Sequence, residues 1–173
     1  MNQLKICIGV FLALAASRFI PHPPNFTSLI ALSFYIPAIF GRKYIAAIIL
    51  SFFLTDLVIG FHSVTLFTWG SVLVIGLMAK FFINNISMRI FGPLLGAIIF
   101  FIITNFGVWT QGYYGYSVEG LIACYIMAIP FFHYTVISTI FFSIIIEAAC
   151  NYLSLGVFKL NKDEKIKSTT MWR

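Results

Sequence analysis

The sequence predicts an all-α integral membrane protein, with six transmembrane helices in a compact bundle and a short re-entrant or interfacial helix before the last span. Three observations carry that expectation. First, 61% of the 173 residues are apolar, 18% aromatic and only 9% charged, with a mean hydropathy of +1.00. A soluble domain carries roughly 25% charged residues, so this chain cannot cover itself with a water-facing surface. Its twenty phenylalanines exclude intrinsic disorder, which requires low hydrophobicity. Second, apolar runs follow one another along the chain with only short breaks. Third, the cations gather in alternate breaks, as membrane topology demands.

The first run covers residues 4–20 and is closed by Pro21-His22-Pro23-Pro24. The second, 27–40, is closed by Gly41-Arg42-Lys43. The third, 44–61, is interrupted only by Asp56. The fourth covers 64–82 and the fifth 90–109, followed by the polar-aromatic loop 111–117. Residues 120–132 form the short segment and 134–158 the last span. A helix of thirteen residues rises about 20 Å against a hydrocarbon core of about 30 Å, and Pro130 is expected to break it before the last span begins. Residues 4–16 also fit a secretory signal, with Lys5 ahead of an apolar stretch and Ala13-Leu14-Ala15 before Ala16. The thin basic region and the odd span count left after cleavage favour a retained span.

Six spans put Lys5, Arg42, Lys43, Lys80, Arg89, Lys159, Lys162, Lys165, Lys167 and Arg173 on one side and Arg18 alone on the other. A seventh span would move the five C-terminal cations across and spoil the asymmetry. Both termini are therefore expected in the cytoplasm. Residues 1–160 read as one transmembrane substrate-binding domain and 161–173 as a polar cytoplasmic tail anchored at the anionic inner leaflet. The +6 net charge is spread along the chain rather than clustered, so nucleic acid is not an expected partner. Cys7, Cys124 and Cys150 are isolated and imply neither a disulfide framework nor a thiolate metal site.

Candidate chemistry collects at the outer side. His22 and Asn25 lie in the first outer loop, Asp56 and His62 at the outer end of the third span, and Asn105, Trp109, Gln111, Tyr113, Tyr114 and Tyr116 at and beyond the outer end of the fifth. Glu119 and His133 bracket the short segment. A polar and aromatic ring at one end of a bundle reads as a binding site open to the outside. For the tyrosines the competing reading is an interfacial aromatic belt with no ligand. Asp56 either organises the site or has a structural partner such as Thr65, since a carboxylate in an apolar band costs about 2.5–3.5 kcal/mol. Glu147, mid-span, is either a proton- or ligand-linked acid or a neutral group bonded between helices. No H-x-x-x-H or H-E-x-x-H spacing supports a metal, and no G-x-S-x-G or phosphate loop supports hydrolysis. No enzyme, metal or cofactor is implied. Gly9, Ala13 and Ser17 repeat every four residues on the first span, a small-xxx-small face suited to a partner helix, and Gly92 and Gly96 do the same in the fifth.

Several of these stretches form a recognisable set: residues 17–27 around Pro21-His22-Pro23-Pro24-Asn25, residues 55–62 with Trp69-Gly70-Ser71, residues 103–109, and residues 120–125 with 128–132. Together they resemble an uncharacterised family of bacterial membrane proteins associated with transport, which in turn resembles the substrate-specific (S) components of energy-coupling-factor vitamin transporters. The resemblance implies a multi-pass protein of the bacterial cytoplasmic membrane that captures a micronutrient from outside, without catalysis of its own. It also implies a transmembrane coupling subunit and cytoplasmic ATPases as partners, docking on Gly9, Ala13 and Ser17. The stripe departs from an Ala-x-x-x-Ala pair, and Asn2 stands where nickel and cobalt members carry a histidine. On this reading Trp69, Asn105, Trp109 and Tyr125 bind a flat polar ligand, Asp56 and His62 organise the site, and His22, Asn25 and His133 form an outer gate. The alternative is a structural or assembly subunit of a larger membrane complex.

Overall fold

Apolar stretches satisfy their backbone N–H and C=O groups without water by coiling on themselves, and this chain does so along nearly all of its described length. The computed structural model describes residues 3–152. Helix α1 covers Gln3–Phe19, α2 Leu29–Phe40, α3 Ile45–Ile59, α4 Thr65–Met78, α5 Ile86–Trp109 and α6 Val118–Tyr152. A 3₁₀ turn at Arg42–Tyr44 leads into α3, and a second at Ala79–Phe82 prolongs α4; no strand occurs among the described residues. Three segments are long and apolar enough to cross a membrane: Thr65–Phe82, Ile86–Trp109 and Val118–Tyr152. Helix α2 is equally apolar but has only 12 residues, a rise of about 18 Å. The polar tail expected at 161–173 lies outside the described residues.

Two expectations are corrected here. The short helix before the last span is not a separate element, because residues 118–152 form one 35-residue helix that carries Pro130 inside it. Proline removes one helical N–H, but α6 is held to α5 on both sides of it. The Tyr125 hydroxyl donates to the Ile102 carbonyl at 2.7 Å, and the Phe132 ring lies 4.7 Å from that of Phe101. A break in apolar surroundings would leave further backbone groups unpaired. Arg89 is likewise no simple flanking cation. Helix α5 begins four residues earlier than the apolar run, because the Asn85 side chain accepts the Met88 N–H at 2.9 Å and caps it. Arg89 therefore sits one turn inside the helix, buried.

The short connections make successive helices alternate in direction. One end of the bundle carries the α1–α2, α3–α4 and α5–α6 connections with His22 and His62; it is called here the histidine end. The other carries Lys5, Arg42, Lys43 and Lys80 and is the basic end. Helix α2 is the central element, with its first nine residues all buried. It packs on α1 and α3 through a core that includes Leu14, Leu29, Ile48 and Val72. Phe34 and Tyr35 face Ile75 and Ala97 of α4 and α5. Close approach depends on Gly92, where an added Cβ would meet the Phe34 ring at 2.3 Å.

At the basic end the core encloses an ion pair. Arg89 Nε donates to Glu147 Oε1 at 2.6 Å and its Nη2 to Oε2 at 3.0 Å, a two-point fork that pins α6 to α5. Tyr35 of α2 donates its hydroxyl to the Arg89 carbonyl at 3.0 Å. Glu147 does bond between helices, but as the carboxylate of an ion pair with Arg89 rather than as the neutral group considered above.

Candidate functional site

The site is built where α2 begins too late to fill the bundle. Helices α5 and α6 run on past its first turn, and the α1–α2 connection folds back over the space. Its backbone turns at Asn25, which has φ of 62°, a left-handed value that asparagine tolerates better than most residues. The Phe26 N–H bonds the Pro23 carbonyl at 3.0 Å and the Thr27 N–H that of Asn25 at 3.1 Å. Ser138 of α6 donates to the Asn25 carbonyl at 3.4 Å, and the Phe26 ring packs against Phe141 and Phe142. Ser17 and Ser28 join their hydroxyls at 2.8 Å across the base of this loop. The connection is thus tied to α1 on one side and to α6 on the other.

Beneath it lies a cavity of about 460 Å³, within the range of small-molecule sites. Arg18, His22, Asn25, His62 and Asn105 line it together with the hydroxyls of Thr68, Thr104 and Thr135. The apolar wall comes from Phe52, Phe100, Phe101, Phe131 and Phe132. His62 is positioned by the entrance to α4. Gly60, with φ of 105°, ends α3 by giving its N–H to the Asp56 carbonyl at 2.8 Å. The Thr65 hydroxyl then donates to the His62 carbonyl at 2.6 Å and accepts the His62 N–H at 3.1 Å. Glycine adopts that positive φ at no steric cost.

Asp56 is completely buried and lies behind the cavity wall rather than in it. Its Oδ1 is 2.7 Å from Arg18 Nη2, and its Oδ2 accepts the Trp69 indole N–H at 3.4 Å. Arg18 also donates from Nη1 to the Phe52 carbonyl at 3.3 Å and to the Thr55 hydroxyl, and its guanidinium lies 4.1 Å from the centroid of the Phe52 ring. This network explains how a carboxylate and a guanidinium coexist in an apolar bundle. Each supplies the other's counter-charge, and the remaining hydrogen-bonding groups come from α3 and α4. Thr65, considered above as a partner for Asp56, bonds His62 instead.

The structure therefore brings His22, Asn25, His62 and Asn105 to one cavity. Asp56 and Trp69 stand one layer back, with Trp69 packed against Phe53 and Phe61. Trp109 falls just beyond the last lining residue of α5 and packs on Phe106 and Tyr116; its buried indole nitrogen has no hydrogen-bond partner among the described residues. Tyr125 is held away from the cavity by its bond to Ile102, and His133 is exposed, stacked on Tyr134 at 3.9 Å. Sequence reasoning passed over Arg18, the threonines and the phenylalanine wall. The threonines were legible in principle, as Thr104 beside Asn105 and Thr135 one turn before Ser138 and Thr139. His22, His62 and Asp56 form no metal-holding group, and no such group occurs among the described residues.

On α1, Gly9 and Ala13 are exposed, with nothing within 4 Å of the Gly9 Cβ position. Ser17 turns inward to Ser28 and to the Leu14 carbonyl.

Residues 1–160 match a family described as "Family of unknown function (DUF6580)". The chain belongs to this family. No curated protein and no solved structure matches it. Across nearly the whole length of a DUF6580 chain, then, the geometry of the cavity is the available guide to what it does.

Proposed function

We propose that this DUF6580 protein is a membrane-embedded substrate-binding subunit for uptake of a vitamin-like small molecule, similar to the S components of energy-coupling-factor transporters. In this reading the helices make six passes through the bacterial cytoplasmic membrane, with the histidine end outside and both termini in the cytoplasm. The observation that carries the reading is the cavity beneath the tied-down α1–α2 connection. It joins a charged and polar rim to an aromatic wall, the combination that small-molecule sites use for specificity and affinity. Binding is assigned to Asn105, His62 and Arg18, with Asp56 and Trp69 holding Arg18 in place. His22 and Asn25 ride on the connection that would open to admit a ligand. The basic end, with Lys5, Arg42, Lys43 and Lys80, supports the orientation. The open face at Gly9 and Ala13 supports docking of a coupling subunit that brings ATPases, because small residues let helices approach closely in lipid.

The test is gentle affinity purification of the tagged full chain from its native membrane, with mass spectrometry of bound proteins and small molecules. A stoichiometric small molecule is expected, lost in Thr104→Trp, which fills the cavity, while the bundle stays helical and monodisperse. A coupling subunit with ATPases is expected to copurify. An empty cavity together with subunits of an unrelated membrane complex would overturn the reading and favour a structural role.

A further inference from the structure

The cavity is electrostatically one-sided. Helix α1 contributes Arg18, the α1–α2 connection His22 and the α3–α4 connection His62. The wall contributed by α2, α4, α5 and α6 contains no titratable side chain. Asp56, the partner of the cavity-lining Arg18, is fully buried and already engaged by Arg18 and Trp69. A cationic guest would find no counter-charge there. The polar protons are unevenly distributed too. Thr104 donates to the Phe100 carbonyl at 2.8 Å, Thr135 to that of Phe131 at 3.3 Å and Thr68 to that of Val64 at 3.4 Å. Their protons are committed to their own helices. Donors for a guest come from Arg18, the two imidazoles, the Thr27 hydroxyl, the Asn25 amide and the second amide proton of Asn105, whose first goes to the Phe101 carbonyl at 2.7 Å.

His22 adds a condition. Its Nδ1 donates to the Pro23 carbonyl at 2.7 Å, because a carbonyl can only accept. In the neutral ring that leaves Nε2 with a lone pair, which repels an anion. Protonation turns Nε2 into a charged donor.

We infer that the cavity takes a small aromatic carboxylate, its ring against the phenylalanine wall and its anion among Arg18, His22 and His62. The inference rests on the substrate-binding reading above and names the chemistry of the guest.

Three acids are suitable probes, each with its primary amide as neutral isostere: benzoate, phenylacetate and 2-naphthoate. Benzamidine serves as the cation. Binding to the full chain in nanodiscs is measured by calorimetry at pH 6. At least one acid is expected to bind about tenfold more tightly than its own amide at pH 6, the difference between a charged and a neutral hydrogen bond. That advantage should shrink in the double variant His22→Gln/His62→Gln, which leaves Arg18 and Asp56 in place. Thr104→Trp, or Asn105→Leu should the first fail to fold, should abolish binding. Amides or benzamidine binding as tightly as the acids, yet lost in the filled variant, would overturn the anionic guest and leave the substrate-binding reading standing. Binding by none of the seven probes would also overturn it, whereas the reading itself stands or falls on what copurifies from the native membrane. An acid preference unchanged in that double variant would overturn the part given to the two histidines.

Discussion

Among the described residues two arginine–carboxylate pairs lie inside the bundle, and they are built differently. At the basic end Arg89 meets Glu147 through two parallel bonds, with side-chain exposures of 9% and 7%. At the histidine end Arg18 meets Asp56 through a single contact at 2.7 Å, and the guanidinium, 10% exposed, also lines the cavity. A fork uses both carboxylate oxygens on one partner, so it locks two helices and leaves little for a third group. A one-point contact leaves part of the guanidinium facing inward to the void. The difference teaches that one motif can be built closed, as at Arg89, or with part of the guanidinium left on a cavity wall, as at Arg18.

The comparison breaks most visibly if Glu147 is neutralised. Glu147→Gln strands a buried guanidinium and is expected to cost about 3–5 kcal/mol, with the paired replacement Arg89→Met/Glu147→Leu recovering most of it. Denaturation of the detergent-solubilised chain measures both, and a double variant no more stable than the single would show that the fork is not what α5 and α6 lose. Asp56→Asn is expected to cost less, about 1–3 kcal/mol, because Arg18 keeps the Phe52 carbonyl, the Thr55 hydroxyl and the Phe52 ring. Equal losses at the two ends would abolish the distinction. The smallest contrast concerns backbone approach. Gly92→Ala, one turn from Arg89, drives a methyl into Phe34 and should cost about 1–3 kcal/mol, whereas Gly9→Ala, with open space around it, should change stability by less than about 1 kcal/mol.

Much of the architecture could be read from hydrophobic runs. Helices α1 to α3 begin and end within two residues of those runs, and α4 does so once its 3₁₀ extension is included, since Gly41, Gly60 and the Pro21–Pro24 cluster end helices by local chemistry alone. The beginning of α5 was missed because the capping side chain of Asn85 lies outside the apolar run. Continuity through Pro130 was missed because it depends on contacts with α5, which no local rule contains. The same holds for the ion pairs. Asp56 and Glu147 stood out as expensive charges, but their partners lie far away in the chain and only packing selects them. Within the site, histidines and asparagines on loops and on α5 reached the cavity. Trp69, Trp109 and Tyr125 lie near it in sequence but rotate onto neighbouring aromatic rings or the backbone.

The fork also has a consequence for the order in which the chain is made. Fifty-eight residues separate Arg89 from Glu147, so the guanidinium of α5 emerges from the ribosome well before its carboxylate exists. Until the last third of α6 has been synthesised, α5 carries a charge that an apolar environment penalises. Its final seating must await the end of the chain. A ribosome stalled before Glu147 leaves an intermediate exposed to quality control, and completion of α6 is the event that releases it.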